Sequence, residues 1–90
     1  MTYEVVTTLD GPEVLRRATQ FFAERVPHTA AYPEKQGPTW LVLRGQGGEE
    51  IAFAVVPMNG VTRVRGSTLL FDQAVDRFLS TLPAPSGISA

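Results

Sequence analysis

Apolar and polar positions alternate from Tyr3 to Leu9, with Tyr3, Val5, Thr7 and Leu9 on one side and Glu4, Val6 and Thr8 on the other. A period of two in a stretch rich in β-branched residues predicts a half-buried strand. The period changes at Asp10-Gly11-Pro12-Glu13. Asp10 can accept from the free amides of a first helical turn, Glu13 can reach back, and Pro12 falls where a missing N–H does no harm. Val14, Leu15, Ala18, Phe21, Phe22 and Val26 then share one stripe, while Glu13, Arg16, Arg17, Gln20 and Glu24 face the other way. That spacing predicts an amphipathic helix, closed by Pro27. Glu13 and Arg17 stand four apart and form a helical ion pair.

Beyond this helix, Thr29-Ala30-Ala31-Tyr32 reads as a short edge strand or a loop, because Pro33 is tolerated only at an edge. Gly37-Pro38 turns the chain into a strand, Thr39 to Arg44, and Gly45-Gln46-Gly47-Gly48 leads out of it. The strongest local signal follows: an apolar run from Ile51 to Val56, an Asn59-Gly60 corner, and a returning Val61-Thr62-Arg63-Val64-Arg65. Asn-Gly accepts the positive φ angles of a type I′ turn and so predicts a hairpin. Phe71, Ala74, Val75, Phe78, Leu79 and Leu82 form a second helical stripe over about residues 70–82, with Ser67, Thr68 or Asp72 as its cap. Pro83-Ala84-Pro85 stops it, leaving 83–90 as a flexible tail on a single domain of residues 1–82.

The element order is therefore β-α-β-β-β-β-α, or one strand fewer if residues 29–32 are a loop. It predicts an α+β fold: an antiparallel sheet of four or five strands in the order 1-5-4-3-2 with two helices on one face. Pairing Met58 with Val61 across the Asn-Gly corner sets Val55 opposite Val64, Ala54 opposite Arg65 and Val56 opposite Arg63. Pairing Arg44 with Glu49 sets Val42 opposite Ile51 and Trp40 opposite Phe53. Trp40, Val42, Ile51, Phe53, Val55 and Val64 then floor the helices, with Trp40 a core anchor. The reverse face carries Leu41, Leu43, Ala52, Ala54, Val56 and Met58 with Arg63 and Arg65. Two helices, each about 10 Å across, cover one side of five strands spaced about 4.8 Å apart and no more. The reverse face is thus predicted to be an apolar contact surface, covered by a second copy of the chain, a protein partner or a ligand.

Composition narrows the chemistry. Ninety residues, 43% of them apolar, suffice for one core. The absence of cysteine excludes disulfides and thiolate chemistry. His28 is the sole histidine and has no orienting partner in the sequence, so no catalytic residue and no metal site is assigned. Glu49 and Glu50 stand at a hairpin mouth beside Arg44. The Gly45–Gly48 loop precedes a strand, whereas a phosphate cradle opens a helix, so no nucleotide or other cofactor is assigned. A net charge of −1 gives no general attraction for nucleic acid. Without a basic leader or a long apolar segment, the expected location is the cytoplasm, away from any membrane. Arg63 and Arg65, two apart on one strand, project from the same face and offer planar donor forks for an anion or for ion pairs with a partner.

The element order, the Asp10-Gly11-Pro12 helix start and the Asn59-Gly60 hairpin with Arg63-Val64-Arg65 and a closing Phe71–Leu82 helix resemble small TATA-binding-protein-like or abbreviated helix-grip domains. The resemblance spans most of residues 3–82 and is topological. It implies a working surface on the uncovered sheet, which grips DNA in the first group and faces an enclosed apolar ligand in the second. Taken together, the sequence predicts a non-enzymatic module that self-associates or binds a protein partner through the open face. The alternative is a small apolar or anionic ligand on that same face.

Overall fold

The computed structural model describes residues 2–24 and 30–85. Along the chain run β1 (Thr2–Thr7), α1 (Gly11–Ala23), β2 (Ala31–Gln36), β3 (Trp40–Gly45), β4 (Glu50–Met58), β5 (Val61–Thr68) and α2 (Asp72–Ser80). All neighbouring strands are antiparallel, in the order β1-β5-β4-β3-β2. The fold is the α+β arrangement the sequence implies. Asn59 and Gly60 take φ of 41° and 85°, so β4 folds straight back into β5 with Met58 opposite Val61.

Both helices lie on one face, because their rings converge on the same sheet residue. Phe22 of α1 and Phe78 of α2 meet Phe53 with ring centroids 5.8 and 5.3 Å away. Around them Val14, Ala18, Val75 and Leu79 pack on Leu41, Leu43, Ile51, Val55 and Val64 in one continuous core. Burying each such side chain contributes about 1.5–3 kcal/mol, which outweighs any single polar contact in the domain. Close approach of α2 depends on Gly66, where a Cβ would stand 2.9 Å from Phe53 Cε1 and 3.0 Å from Val75 Cγ1.

Local chemistry sets the element ends. Asp10 is the N-cap of α1 and accepts from the Glu13 amide at 2.9 Å, and Pro12 lies in the first turn. Glu13 is bound at 2.8 Å by Arg17, as the spacing implies, and also at 2.7 Å by Arg16. The N-cap position of α2 is Phe71, whose side chain makes no capping hydrogen bond. Thr68 instead shapes the preceding turn by accepting from the Phe71 amide at 3.1 Å, while Ser67 stays in the sheet. Residues 70–82 therefore shorten to Asp72–Ser80 as helix.

The two edge strands are closed differently. β2 runs from Ala31 rather than Thr29, and a register shift between Pro33 and Lys35 breaks its ladder. A proline, a bulge and two charges at an edge discourage a further strand from pairing there. β1 ends at Thr7, two residues before Leu9, because Thr7 and Thr8 turn to another partner. The Thr7 hydroxyl and the Thr8 amide both donate to the Pro83 carbonyl, at 2.7 and 3.3 Å. The Pro83–Pro85 segment is thus held to the body, and Pro85 is buried. Val26, Pro27, His28, Thr29 and residues 86–90, on which several expectations fell, lie outside the described residues.

One correction reshapes the open face. Arg44 pairs with Glu50, not Glu49, so Leu41 faces Phe53 and Leu43 faces Ile51. Leu41 and Leu43 are 1% and 0% exposed, beneath the helices. The cause is the glycine loop. Gly45 donates to the Glu49 carbonyl at 2.8 Å and Gly48 takes φ of 90°, which adds one residue to the turn. Because side chains alternate, this single step sends every β3 residue to the face opposite the one expected.

Candidate interaction face

The face turned away from the helices is built from alternate residues of all five strands. Paired positions define rows across it: Val6, Arg63 and Val56; Glu4, Arg65, Ala54 and Trp40; Thr2, Ser67, Ala52, Val42 and Lys35; Glu50, Arg44 and Tyr32. Ala52, Ala54, Val56, Met58, Arg63 and Arg65 therefore share this face, as the second hairpin requires. Leu41 and Leu43 are replaced there by Trp40 and Val42. Trp40, expected in the core, is 40% exposed, and its indole lies over Gly37, where a Cβ would collide with it. The sequence did carry a signal for this. Arg44 has the parity of Trp40 and Val42, and an arginine is far easier to place in water than in a core.

The apolar part of the face is a strip. Ala52 and Ala54 are small and sit at its centre on β4, with Val56 at 51% exposure on one side and Trp40 on the other. Tyr32 extends it at the β2 edge, 53% exposed. Between β1 and β4, Glu4, Ala54, Val56, Arg63 and Arg65 line a shallow depression of about 210 Å³.

Charge is distributed unevenly around the strip. At one corner Arg44 binds Glu34 through two nitrogens, both at 2.8 Å, donates to the Gly48 carbonyl at 2.8 Å, and reaches Glu50 at 3.3 Å. The hydrogen bonds from Arg44 lower the Glu34 pKa, and those to Glu34 raise that of Arg44. This fork ties the bulged β2 edge to the β3–β4 hairpin. Glu49 instead closes its own loop, accepting from the Gly47 amide at 3.0 Å. Across the sheet Arg65 stands 3.5 Å from Glu4, a looser pair. Arg63, between Val6 and Val56, has no ion-pair partner among the described residues.

Two other surface features lie elsewhere. A groove of about 640 Å³ runs between α1 and the β2–β3 turn, lined mainly by Pro12, Leu15, Thr19, Ala23 and Pro38. Its one charged group, Arg16, is already committed to Glu13. Leu69 and Leu70 project from the turn before α2, 86% and 70% exposed. Among the described residues, no group of three His, Cys, Asp or Glu side chains could hold a metal ion, and no helix is long and apolar enough to cross a membrane. Compared with known protein families, curated proteins and solved structures, the chain matches none.

Proposed function

We propose that this domain is a non-enzymatic interaction module that works through its open sheet face, by self-association or by binding a protein partner. The observation that carries the reading is the uncovered strip of Trp40, Val42, Ala54 and Val56, which runs across β3 and β4 on a face that the chain's own helices leave bare. Large apolar groups gathered on one surface favour a covering partner, whereas scattered ones do not. The depression beside Arg63 and Arg65, about 210 Å³, is below the roughly 300 Å³ at which pockets for drug-sized ligands begin. A broad macromolecular contact therefore fits better than an enclosed small molecule. Glu4, Glu34 and Glu50 interleave with the arginines, which argues against a polyanionic partner such as nucleic acid. The likeness to TATA-binding-protein-like domains belongs to this proposal, since those too work through an uncovered sheet.

The test compares the wild type with Val56→Glu, a change at a solvent-exposed position that leaves the core alone. Melting temperature is followed against protein concentration and against a panel of small apolar and anionic molecules. A rise with protein concentration that Val56→Glu abolishes supports the reading, whereas a rise with a molecule of the panel that Val56→Glu abolishes favours a small ligand on the same face. Identical behaviour of the two proteins under every condition overturns it.

A further inference from the structure

We infer that the free edge of β1 is a docking site for an extended, proline-free segment of a partner polypeptide, which joins the sheet as a further antiparallel strand with a basic residue beside Glu4 and an apolar one beside Val5. The inference concerns the edge of the sheet and goes beyond the open-face reading, on which it does not depend.

The backbone supplies the first argument. The two-residue Asn59-Gly60 turn makes Met58 and Val61 a hydrogen-bonded pair, so the backbone groups of Val61, Arg63 and Arg65 point to β4 and those of Thr62, Val64 and Gly66 point to β1. The Val55 amide donates to Thr39 and not to β5, in keeping with this alternation. The register then leaves Tyr3, Val5 and Thr7 bonded to β5 and turns the amides and carbonyls of Thr2, Glu4 and Val6 outward. The next outward amide, that of Thr8, donates to the Pro83 carbonyl. The chain thus lays one rung of a further ladder, and among the described residues the outward groups of Glu4 and Val6 have no hydrogen bond.

The contrast between the two edges supplies the second argument. β2 is guarded by Pro33, by a register shift and by Glu34 and Lys35. Such devices keep a foreign strand from pairing. β1 has no proline and a single charge, and its pairing with β5 is unbroken from Thr2 to Thr7. It is a straight, bare template.

Side chains define what fits. Val5 is half-buried and packs against the core, so an apolar side chain laid beside it would extend that core. On the opposite side of the added strand, Glu4 is exposed and held only at 3.5 Å by Arg65, which favours a basic neighbour. Strand addition of this kind takes affinity from the main chain and selectivity from alternate side chains. A second copy fits less well. Pairing β1 with itself, Thr2 against Val6, sets Glu4 on Glu4, and a shift by two residues runs Thr2 onto the Thr8 position that Pro83 already fills.

The probe is a short capped peptide of alternating Val and Lys, compared with the same peptide carrying proline at its central position. Amide hydrogen exchange of the full chain is followed by nuclear magnetic resonance, with and without each peptide. The Glu4 and Val6 amides are expected to exchange freely in the chain alone and to slow about tenfold or more at saturating Val-Lys peptide, while Val5 and Thr7, already bonded to β5, stay as they are. The prolyl peptide has no such effect. Val6→Pro removes an outward donor without touching the β1–β5 ladder and should weaken binding about tenfold. Should that variant fail to fold, Glu4→Lys changes only an exposed side chain and should weaken binding about threefold. Unchanged exchange at Glu4 and Val6 up to millimolar Val-Lys peptide overturns the inference, as does equal slowing by the prolyl peptide. Protection of these amides in the monomeric chain alone means that the chain closes its own edge, and protection that grows with protein concentration means that a second copy does; either overturns the inference.

Discussion

The Tyr3 hydroxyl donates a 3.0 Å hydrogen bond to Asp72 Oδ1, tying the first strand to the first turn of the last helix across 69 residues of chain. The bond holds the Tyr3 phenol neutral and raises its pKa above the ordinary 10.0, with desolvation and the Asp72 charge acting in the same direction. Tyr3→Phe keeps the ring and loses the bond, and is expected to lower the urea midpoint of the domain slightly at neutral pH. The sign of the pH effect follows from the raised value. The Tyr3 contribution is complete below pH 10 and disappears as pH rises through the higher folded pKa, so wild type and Tyr3→Phe converge in stability at alkaline pH.

Thr7 provides a second long-range tie, fully buried and donating to the Pro83 carbonyl at 2.7 Å. Thr7→Val preserves the shape and removes the donor. Its expected cost is about 1–2 kcal/mol, read from the urea midpoint, with Thr7→Ser recovering most of it.

Gly66 is a packing requirement, not a turn. Gly66→Ala forces its methyl between Phe53 and Val75, and overpacking of this kind costs about 1–3 kcal/mol. Melting curves of Gly66→Ala should therefore fall well below those of Val56→Ala, whose side chain is half in water.

Acid exposes the helix cluster. Hydrogen bonds from Arg16 and Arg17 hold the Glu13 carboxyl down to about 2, from an ordinary 4.5. A lowered pKa places the Glu13 contribution above pH 4.5, and it is lost as pH falls toward 2. The cluster is on the surface, so the effect is small and sensitive to salt. A carbon-13 titration of the Glu13 carboxyl should give a midpoint near 2, and Arg16→Ala should bring it back toward 4.5.

Much of this architecture was legible because single residues have single uses. Asn59-Gly60 admits one kind of corner, which fixed the β4–β5 pairing and the placement of Ala54, Val56, Arg63 and Arg65. Asp10 and Pro12 announced α1 for the same reason. The β3–β4 turn was not legible, since Gly45-Gln46-Gly47-Gly48 can close at more than one length, and Trp40, Leu41, Val42 and Leu43 are apolar on both parities. With no polar alternation to arbitrate, only Arg44 indicated which side faced water. The Thr7–Pro83 and Tyr3–Asp72 contacts were out of reach for a different reason. They join residues far apart in sequence, and no local pattern encodes the meeting.

The sheet order has a consequence for how the molecule assembles. β3, β4 and β5 meet through short turns, but β1 must wait for β5, with Thr2 opposite Ser67. Closing so long a loop costs entropy before any contact rewards it, so the three-strand meander should nucleate and the first strand should dock late. In stopped-flow refolding, Val64→Ala is then expected to slow folding, while Val5→Ala chiefly speeds unfolding. The strand that comes first along this domain is among the last to find its place.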